Sequence, residues 1–239
     1  MYKIKLDAVA KVSGILKFIF FHPLARKHRL KAFKNFFFWQ LSQAASLRLV
    51  KKLWVNDILI CVKKGMTGIT GSLYVGLHEF EDMSFVLHYL NETHLFLDVG
   101  ANVGCYSLLA ASKGSSVIAF EPDYTSVSAL NVNRCINDFE KKITVVRAAV
   151  GDHVGITNFS EKLDTVNHVL DPTDKNGTQV ELVSIDSLNL DNANTVIKID
   201  VEGYEMQVLN GALECLLRQV LVVIVETNTG WLFNDMDLF

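Results

Sequence analysis

The chain has 239 residues, half of them hydrophobic, and a formal net charge of −3 at pH 7. This length allows one sizeable hydrophobic core with an accessory segment, and its four cysteines have no paired spacing that would indicate a zinc site or a disulfide framework. The longest apolar run near the start, Phe18–Phe21, is far shorter than the roughly 20 residues of a membrane span, so an unprocessed cytoplasmic chain is expected.

Residues 1–52 form a basic, aromatic-rich segment with two helical patterns, at about 9–20 and 24–46. They contain twelve Lys or Arg and one acid, Asp7, whereas residues 53–239 contain eleven basic and twenty-five acidic residues. Three interpretations fit: an accessory helical layer packed on the acidic part, peripheral contact with the inner membrane surface, or nucleic-acid binding. Nucleic acid ranks last, because no RNA-binding signature is present and an acidic domain repels phosphates.

Residues 53–90 form a short lead-in to the main domain. Asn56-Asp57 predicts a hairpin turn between two strands, the run 73–75 predicts another short strand, and a helix is expected over about 82–90. Glu79 precedes the main domain and is a candidate lid residue that contacts the cofactor. The alternative is that a carboxylate at the start of this helix stabilises the helix's own N–H groups.

Residues 91–239 have the pattern of a parallel α/β domain. Apolar runs predict strands near 95–99, 116–120, 143–148, 156–160, 179–184, 195–199 and 220–225, with helices near 103–112, 124–137 and 205–217 and a polar loop at 164–177. This alternation predicts a Rossmann-like sheet with helices on both faces.

The first strand of this domain ends in Asp98 and continues into a glycine-containing turn. Gly100, Asn102 and Gly104 follow, and glycine lets the backbone turn sharply and a ligand approach closely. A carboxylate at this point would repel the pyrophosphate of a dinucleotide but attract a cation. S-adenosylmethionine, which carries a sulfonium, an ammonium and a ribose, fits this charge.

Three further strands of the domain also end in acids. Glu121 closes the second strand and is placed to accept hydrogen bonds from the two ribose hydroxyls, while Asp200 and Glu226 close later strands. Because the carboxyl ends of parallel strands meet at one edge, these acids predict a negatively charged crevice there. Lys198, Asp200 and Glu202 alternate along the chain and therefore point to one side of their strand.

The segments 98–104, 120–122 and 198–203 together resemble the FkbM family of S-adenosylmethionine-dependent methyltransferases. The resemblance runs from about Gly71 to Glu226, includes Asp152 in the segment 149–152, and is most specific in Lys198–Gly203. It implies a class I methyltransferase sheet and O-methylation of hydroxyl groups on sugars, glycans or natural products. Together with the lid candidate Glu79, the candidate cofactor residues are Asp98, Gly100, Asn102, Gly104, Glu121 and Asp152.

Methyl transfer to an alcohol requires alignment of the nucleophile and removal of its proton. We expect Asp200 to act as the base or to orient the acceptor, Lys198 to hold the acceptor or the carboxylate, and Glu202 to share either role. The structural alternative is an ion pair between Lys198 and Glu202 that orders the end of the strand. Oxygen donors such as these also suit magnesium, but no spacing demands a metal, and none is expected.

Only thirteen residues follow Glu226, too few for the helix and antiparallel strands that usually complete such a sheet. The expectation is therefore a sheet without its C-terminal antiparallel strands, with an exposed edge that promotes homo-oligomers. Two other functions remain open. One is a nucleotide-dependent oxidoreductase or sugar-modifying enzyme on the same sheet, and the other is a catalytically impaired protein that binds S-adenosylmethionine.

Overall fold

The computed structural model describes residues 2–45, 49–63, 66–160, 168–170, 177–188, 190 and 194–226. The chain divides into two compact units, residues 1–89 and 90–239, and each is described by itself. The polar loop predicted at 164–177 lies largely outside the described residues, and the segment after Glu226 lies entirely outside them. Among the helices of the described residues, none is long and apolar enough to cross a membrane.

The first unit combines helices with one β-hairpin. Its helices are α1 (Tyr2–Phe21), α2 (Pro23–Lys27), α3 (Arg29–Ala45), α4 (Thr67–Val75) and α5 (Phe80–Tyr89), and its strands are β1 (Val50–Leu53) and β2 (Leu59–Val62). The predicted hairpin turn is confirmed: β1 and β2 pair antiparallel, and Asn56 and Asp57 have φ of 52° and 60°. Asparagine and aspartate tolerate this left-handed conformation better than most residues do.

The strand predicted at 73–75 is wrong, because these residues end α4. A short apolar run does not distinguish a strand from a buried helix, and packing decides between them. Ile69 and Leu73, four residues apart, are both buried on this helix. Tyr74 packs edge to face on Phe36 of α3, with ring centroids 5.3 Å apart, which holds the segment in the helical layer.

The second unit contains a five-stranded parallel sheet, as predicted. Its strands β3 (His94–Val99), β4 (Ser116–Phe120), β5 (Ile143–Val146), β9 (Asn194–Ile199) and β10 (Val220–Val225) are arranged in the order β10-β9-β3-β4-β5. The helices are α6 (Cys105–Ser112), α7 (Tyr124–Cys135), α8 (Glu205–Asn210) and α9 (Leu213–Arg218). This is a Rossmann-like α/β fold, and Leu97, Val99, Ile197 and Ile199 form the centre of its core.

A smaller three-stranded sheet follows β5. Its strands β6 (Ala149–Val150), β7 (Gly155–Phe159) and β8 (Thr178–Val183) are arranged in the order β6-β8-β7, with β6 parallel and β7 antiparallel to β8. The strand predicted over 143–148 is confirmed as β5 but ends at Val146, and the next strand, β6, belongs to a different sheet.

The single helix predicted over 205–217 is two helices, α8 and α9, that separate at Gly211. A side chain at Gly211 would place Cβ 1.9 Å from the carbonyl oxygen of Gly151, so two stretches of backbone pass in direct contact. The carboxylate of Asp186 accepts hydrogen bonds from the backbone N–H groups of Glu214 and Cys215 in the first turn of α9. The helix therefore restarts with its own cap, which a helical repeat in the sequence does not reveal.

Candidate active site

The direction of the chain across the sheet reverses between β3 and β9. From β3 the chain proceeds to β4 and β5 on one side, and it then returns to β9 and β10 on the other. In open parallel sheets, ligands bind at such a switch point, outside the carboxyl ends of the strands. The turn after β3 and the turn after β9 therefore line the candidate site.

Asp98 is a buried carboxylate at this switch point, 1% exposed. The Ser107 hydroxyl donates to its Oδ2 at 2.6 Å, and Oδ1 has no hydrogen-bond partner within the described part of the chain. Burial raises the pKa of Asp98, because it outweighs the opposing effects of the nearby Lys198 ammonium and the Ser107 hydrogen bonds. A buried carboxylate oxygen without a partner costs free energy that a ligand with a donor or a positive charge would recover.

Lys198 lies beside Asp98 in the register of β3 and β9. Its ammonium forms an ion pair with Oδ2 of Asp200 at 2.8 Å and lies 4.7 Å from the ring centroid of Tyr106. The Lys198 side chain is 4% exposed, whereas that of Asp200 is 30% exposed. Lys198 is thus a buried cation stabilised by a carboxylate and an aromatic face, and Asp200 is the member of the pair that reaches the surface.

The turn after β3 packs directly on the turn after β9. Gly100 has φ of +81°, and a Cβ there would lie 1.8 Å from the carbonyl oxygen of Asp200. The Asp200 N–H donates to the carbonyl of Val99, and the N–H groups of Gly100 and Ala101 both donate to the carbonyl of Phe120. Only glycine satisfies both the conformation and this close approach.

The rest of the first turn leads the chain into α6. Asn102 and Gly104 also have positive φ, 50° and 92°. A Cβ at Gly104 would lie 2.9 Å from Cγ of Leu130 on α7, so this position too is tight. Asn133, which is fully buried, donates to the carbonyl of Val103 at 2.9 Å and anchors the turn from behind.

Glu121 is buried where β4 ends, 7% exposed. Its Oε2 accepts from the Asn102 N–H and its Oε1 from the Asp123 N–H, both at 2.8 Å. Burial raises the pKa of Glu121 to about 7, although these two hydrogen bonds oppose the rise. Each oxygen retains a second lone pair, so the carboxylate can still accept from a ligand hydroxyl.

The structure places the remaining candidates less centrally. Glu202 lies in the turn after β9 with φ of 54°, and Glu226 directly follows β10, where its N–H donates to the carbonyl of Ile199. Asp152 is exposed, with Oδ1 2.6 Å from Nδ1 of His153. Glu79 belongs to the first unit, where Oε1 lies 2.6 Å from Nε2 of His78, and its contact with a cofactor stays a prediction.

Sequence reasoning missed the two residues of α6 that complete the site, Tyr106 and Ser107. Their position in the first turn of the helix that follows the glycine turn could have indicated that they belong to the site. Side chains there face the strand end, and Ser107 comes nine positions after Asp98. Among the described residues, no group of three or more His, Cys, Asp or Glu side chains is arranged to hold a metal ion.

Comparison with known proteins gives a family match over more than half of the chain. The model of the methyltransferase FkbM domain matches residues 98–239. A hexuronic acid methyltransferase, AglP of Haloferax volcanii, is 26% identical over 156 residues, which cover 64% of this chain and 63% of that protein. The chain therefore spans less than two thirds of this relative.

Solved structures are also similar to parts of this chain. The FkbM methyltransferase of Methylobacillus flagellatus is 23% identical, with a TM-score of 0.39, and the match covers 62% of this chain and 40% of that one. Trm5b of Pyrococcus abyssi is 14% identical, with a TM-score of 0.41, over 71% of this chain and 38% of that one.

Proposed function

Because the chain belongs to the FkbM methyltransferase family, we propose that it transfers a methyl group from S-adenosylmethionine to a hydroxyl group of a sugar or glycan. The observation that carries this proposal is the buried carboxylate of Asp98, whose Oδ1 lacks a hydrogen-bond partner within the described residues. The family match supports the reaction class. The electrostatics of the strand ends support the choice of cofactor.

The residues of the crevice fit S-adenosylmethionine better than a dinucleotide. The unpartnered Oδ1 of Asp98 suits a cation or an N–H donor, and an anionic pyrophosphate at the same place would be repelled. Gly100, which has no side chain, lets the turn after β3 pack on the backbone of Asp200, and Asn102 and Gly104 give this turn its shape. Glu121, with one lone pair free on each oxygen, would hold the ribose hydroxyls. Asp152 and Glu79 remain further candidates for cofactor contacts.

When bound, the cofactor supplies a methyl group on a sulfonium, which is a good leaving group. The chain's own residues must then position the acceptor and take its proton. We assign proton removal to Asp200, because its side chain is partly exposed at the carboxyl end of β9. Asp200 would take the proton of the acceptor hydroxyl on a carboxylate oxygen as the acceptor oxygen bonds to the methyl carbon and the bond between that carbon and sulfur breaks.

Lys198 is a positioning residue in this proposal. Its ammonium is buried and holds Oδ2 of Asp200 at 2.8 Å, so we assign the contact with the acceptor to Oδ1 of Asp200. This contact favours the predicted role of holding the carboxylate over that of holding the acceptor. Glu202, two residues further along, can orient a second acceptor hydroxyl.

The acceptor class rests on the similarity to AglP, whose name describes a hexuronic acid methyltransferase. A sugar presents several hydroxyls, and the acids at the end of β9 suit such donors. O-methylation of a sugar is therefore the acceptor chemistry that we propose for this chain.

Calorimetry on the purified chain tests the cofactor. We expect S-adenosylmethionine to bind and NAD not to bind, and Asp98→Asn to weaken S-adenosylmethionine binding about 10- to 100-fold, since hydrogen bonds to charged groups contribute about 1.5–3 kcal/mol. The matched control is Asp138→Asn, at an exposed position with φ of 57° that asparagine tolerates, and its affinity should equal that of the wild type. Tight binding of NAD with no binding of S-adenosylmethionine would refute the proposal.

Turnover of a radiolabelled methyl group onto a panel of uronic acids and neutral sugars tests the chemistry. Asp200→Asn should retain cofactor affinity and lose at least about 100-fold in kcat, the usual contribution of a general base. Asp138→Asn again serves as the control. Full turnover by Asp200→Asn would remove this residue from the mechanism.

A further inference from the structure

Helix α3 is apolar on two opposite faces. Ala32, Phe36 and Trp39 follow a helical spacing and are buried within the first unit. Leu30, Phe37, Phe38 and Leu41 lie on the opposite side and are 57–88% exposed. A soluble helix normally has one apolar face and one polar face, so the second apolar face has no explanation in the packing of its own unit.

Aromatic side chains at the end of α1 are also exposed. Phe18, Phe20 and Phe21 are 38%, 42% and 72% exposed, and the guanidinium of Arg29 lies 4.1 Å from the ring centroid of Phe20. We call the exposed side chains of residues 17–41 the basic–aromatic surface.

The cations of the basic–aromatic surface have no acidic neighbours in sequence. Its exposed cations are Lys17, Arg26, Lys27, Lys31 and Lys34. No Asp or Glu occurs between Asp7 and Asp57. Lys34 lies within the apolar stripe, between Leu30 and Phe37. The methylene groups of the Lys34 side chain can lie along an apolar surface while its ammonium reaches a polar layer.

We propose that the basic–aromatic surface docks on an anionic lipid bilayer, with α3 lying in the plane of the interface. The exposed leucines and phenylalanines enter the boundary between headgroups and acyl chains, and the lysines and arginines contact lipid phosphates. Interfacial helices combine these features: aromatic and leucine side chains on the face toward the lipid, with basic residues beside them. Each basic residue near an anionic leaflet contributes about 1 kcal/mol.

Other occupants fit this surface less well. A single-stranded nucleic acid would stack its bases on the phenylalanines, but Leu30 and Leu41, 88% and 69% exposed, offer no stacking surface. A second copy would bring two strongly basic surfaces together, and residues 1–52 carry a net charge of +11. An anionic bilayer satisfies both the charge and the aliphatic side chains.

Co-sedimentation of the full chain with vesicles tests the proposal. We expect binding to vesicles of phosphatidylcholine with about 30% phosphatidylglycerol, and little binding to phosphatidylcholine alone, because the attraction depends on the surface potential. Leu30→Ser should weaken binding about tenfold. This corresponds to the low end of the range of free energies for burying a leucine side chain. The matched control is Leu217→Ser, since Leu217 on α9 is also 88% exposed and should not matter.

The charge is tested with a second matched pair. Lys34→Glu should weaken binding about fivefold or more, since one basic residue contributes about 1 kcal/mol, whereas Lys141→Glu, also at an exposed lysine, should leave it unchanged. Equal effects within each pair would overturn the proposal. So would tighter binding to a mixed-sequence RNA than to the anionic vesicles, or self-association that Leu30→Ser abolishes without any vesicle binding by the wild type.

Discussion

Replacing Glu121 with glutamine should change how the stability of the second unit depends on pH. The pKa of Glu121 is raised from 4.5 to about 7, chiefly because the carboxyl group is buried. In the unfolded chain the group ionises at its ordinary value. Between the two values the folded state binds more protons than the unfolded state, so stability decreases as the pH rises.

The size of this effect follows from the two pKa values. The rise in the pKa of Glu121 from 4.5 to about 7 corresponds to about 3 kcal/mol of unfolding free energy. This contribution to stability is fully present below pH 4.5 and is lost once the pH exceeds about 7. Glutamine at position 121 cannot ionise and lacks this dependence. Its amide presents a donor where Glu121 accepts N–H groups from Asn102 and Asp123, which adds a cost that does not vary with pH.

Amide hydrogen exchange in β3 and β4, measured from pH 4.5 to 8 at constant ionic strength, reports the stability of this unit. The free-energy difference between wild type and Glu121→Gln should shift by about 3 kcal/mol in favour of the variant across this range. Asp98, whose pKa is also raised by burial, gives both proteins a similar remaining slope. Glu181→Gln, at an exposed position on β8, should follow the wild type. Parallel curves for wild type and Glu121→Gln would refute the reasoning.

Two matched substitutions test the turns and the helix that surround the site. Gly100→Ala should destabilise the second unit by more than about 3 kcal/mol in urea unfolding, whereas Gly203→Ala, with φ of +102° and no atom near the added Cβ, should cost only about 1–2 kcal/mol of backbone strain. Equal losses would show that strain alone matters. Ser107→Ala removes the hydroxyl that donates to Asp98, so it should cost about 1–3 kcal/mol and raise the pKa of Asp98 further in a carbon-detected NMR titration. Ser128→Ala, at a half-buried serine whose hydroxyl donates within α7 to the Tyr124 carbonyl, should do neither.

The sequence predicted the strands of the main sheet well, because each is a continuous apolar run that ends in an acid or a turn residue. The glycine turn was also readable, since Gly100 and Gly104 occupy positions where the backbone has positive φ. Side-chain packing on the site was not readable. The contact of Tyr106 with Lys198 and the bond of Ser107 to Asp98 depend on the rotation of α6, which the periodicity of the chain does not specify.

Tertiary contacts account for the elements that were predicted incorrectly. The run 73–75 is helical because Tyr74 packs on Phe36, which lies 38 positions earlier in the chain. The helix after β9 divides at Gly211 because that residue meets the backbone of Gly151. Local propensity contains no information about such distant partners.

The contact between Gly100 and Asp200 limits how this fold can diversify during evolution. With backbone against backbone at this point, position 100 cannot gain a side chain unless the two turns separate. The turn after β3, which we assign to the cofactor, and the turn after β9, which we assign to the acceptor, are therefore structurally coupled. Changes in acceptor preference should therefore arise in parts of the second unit that this contact does not constrain, such as the small sheet that packs on Tyr204.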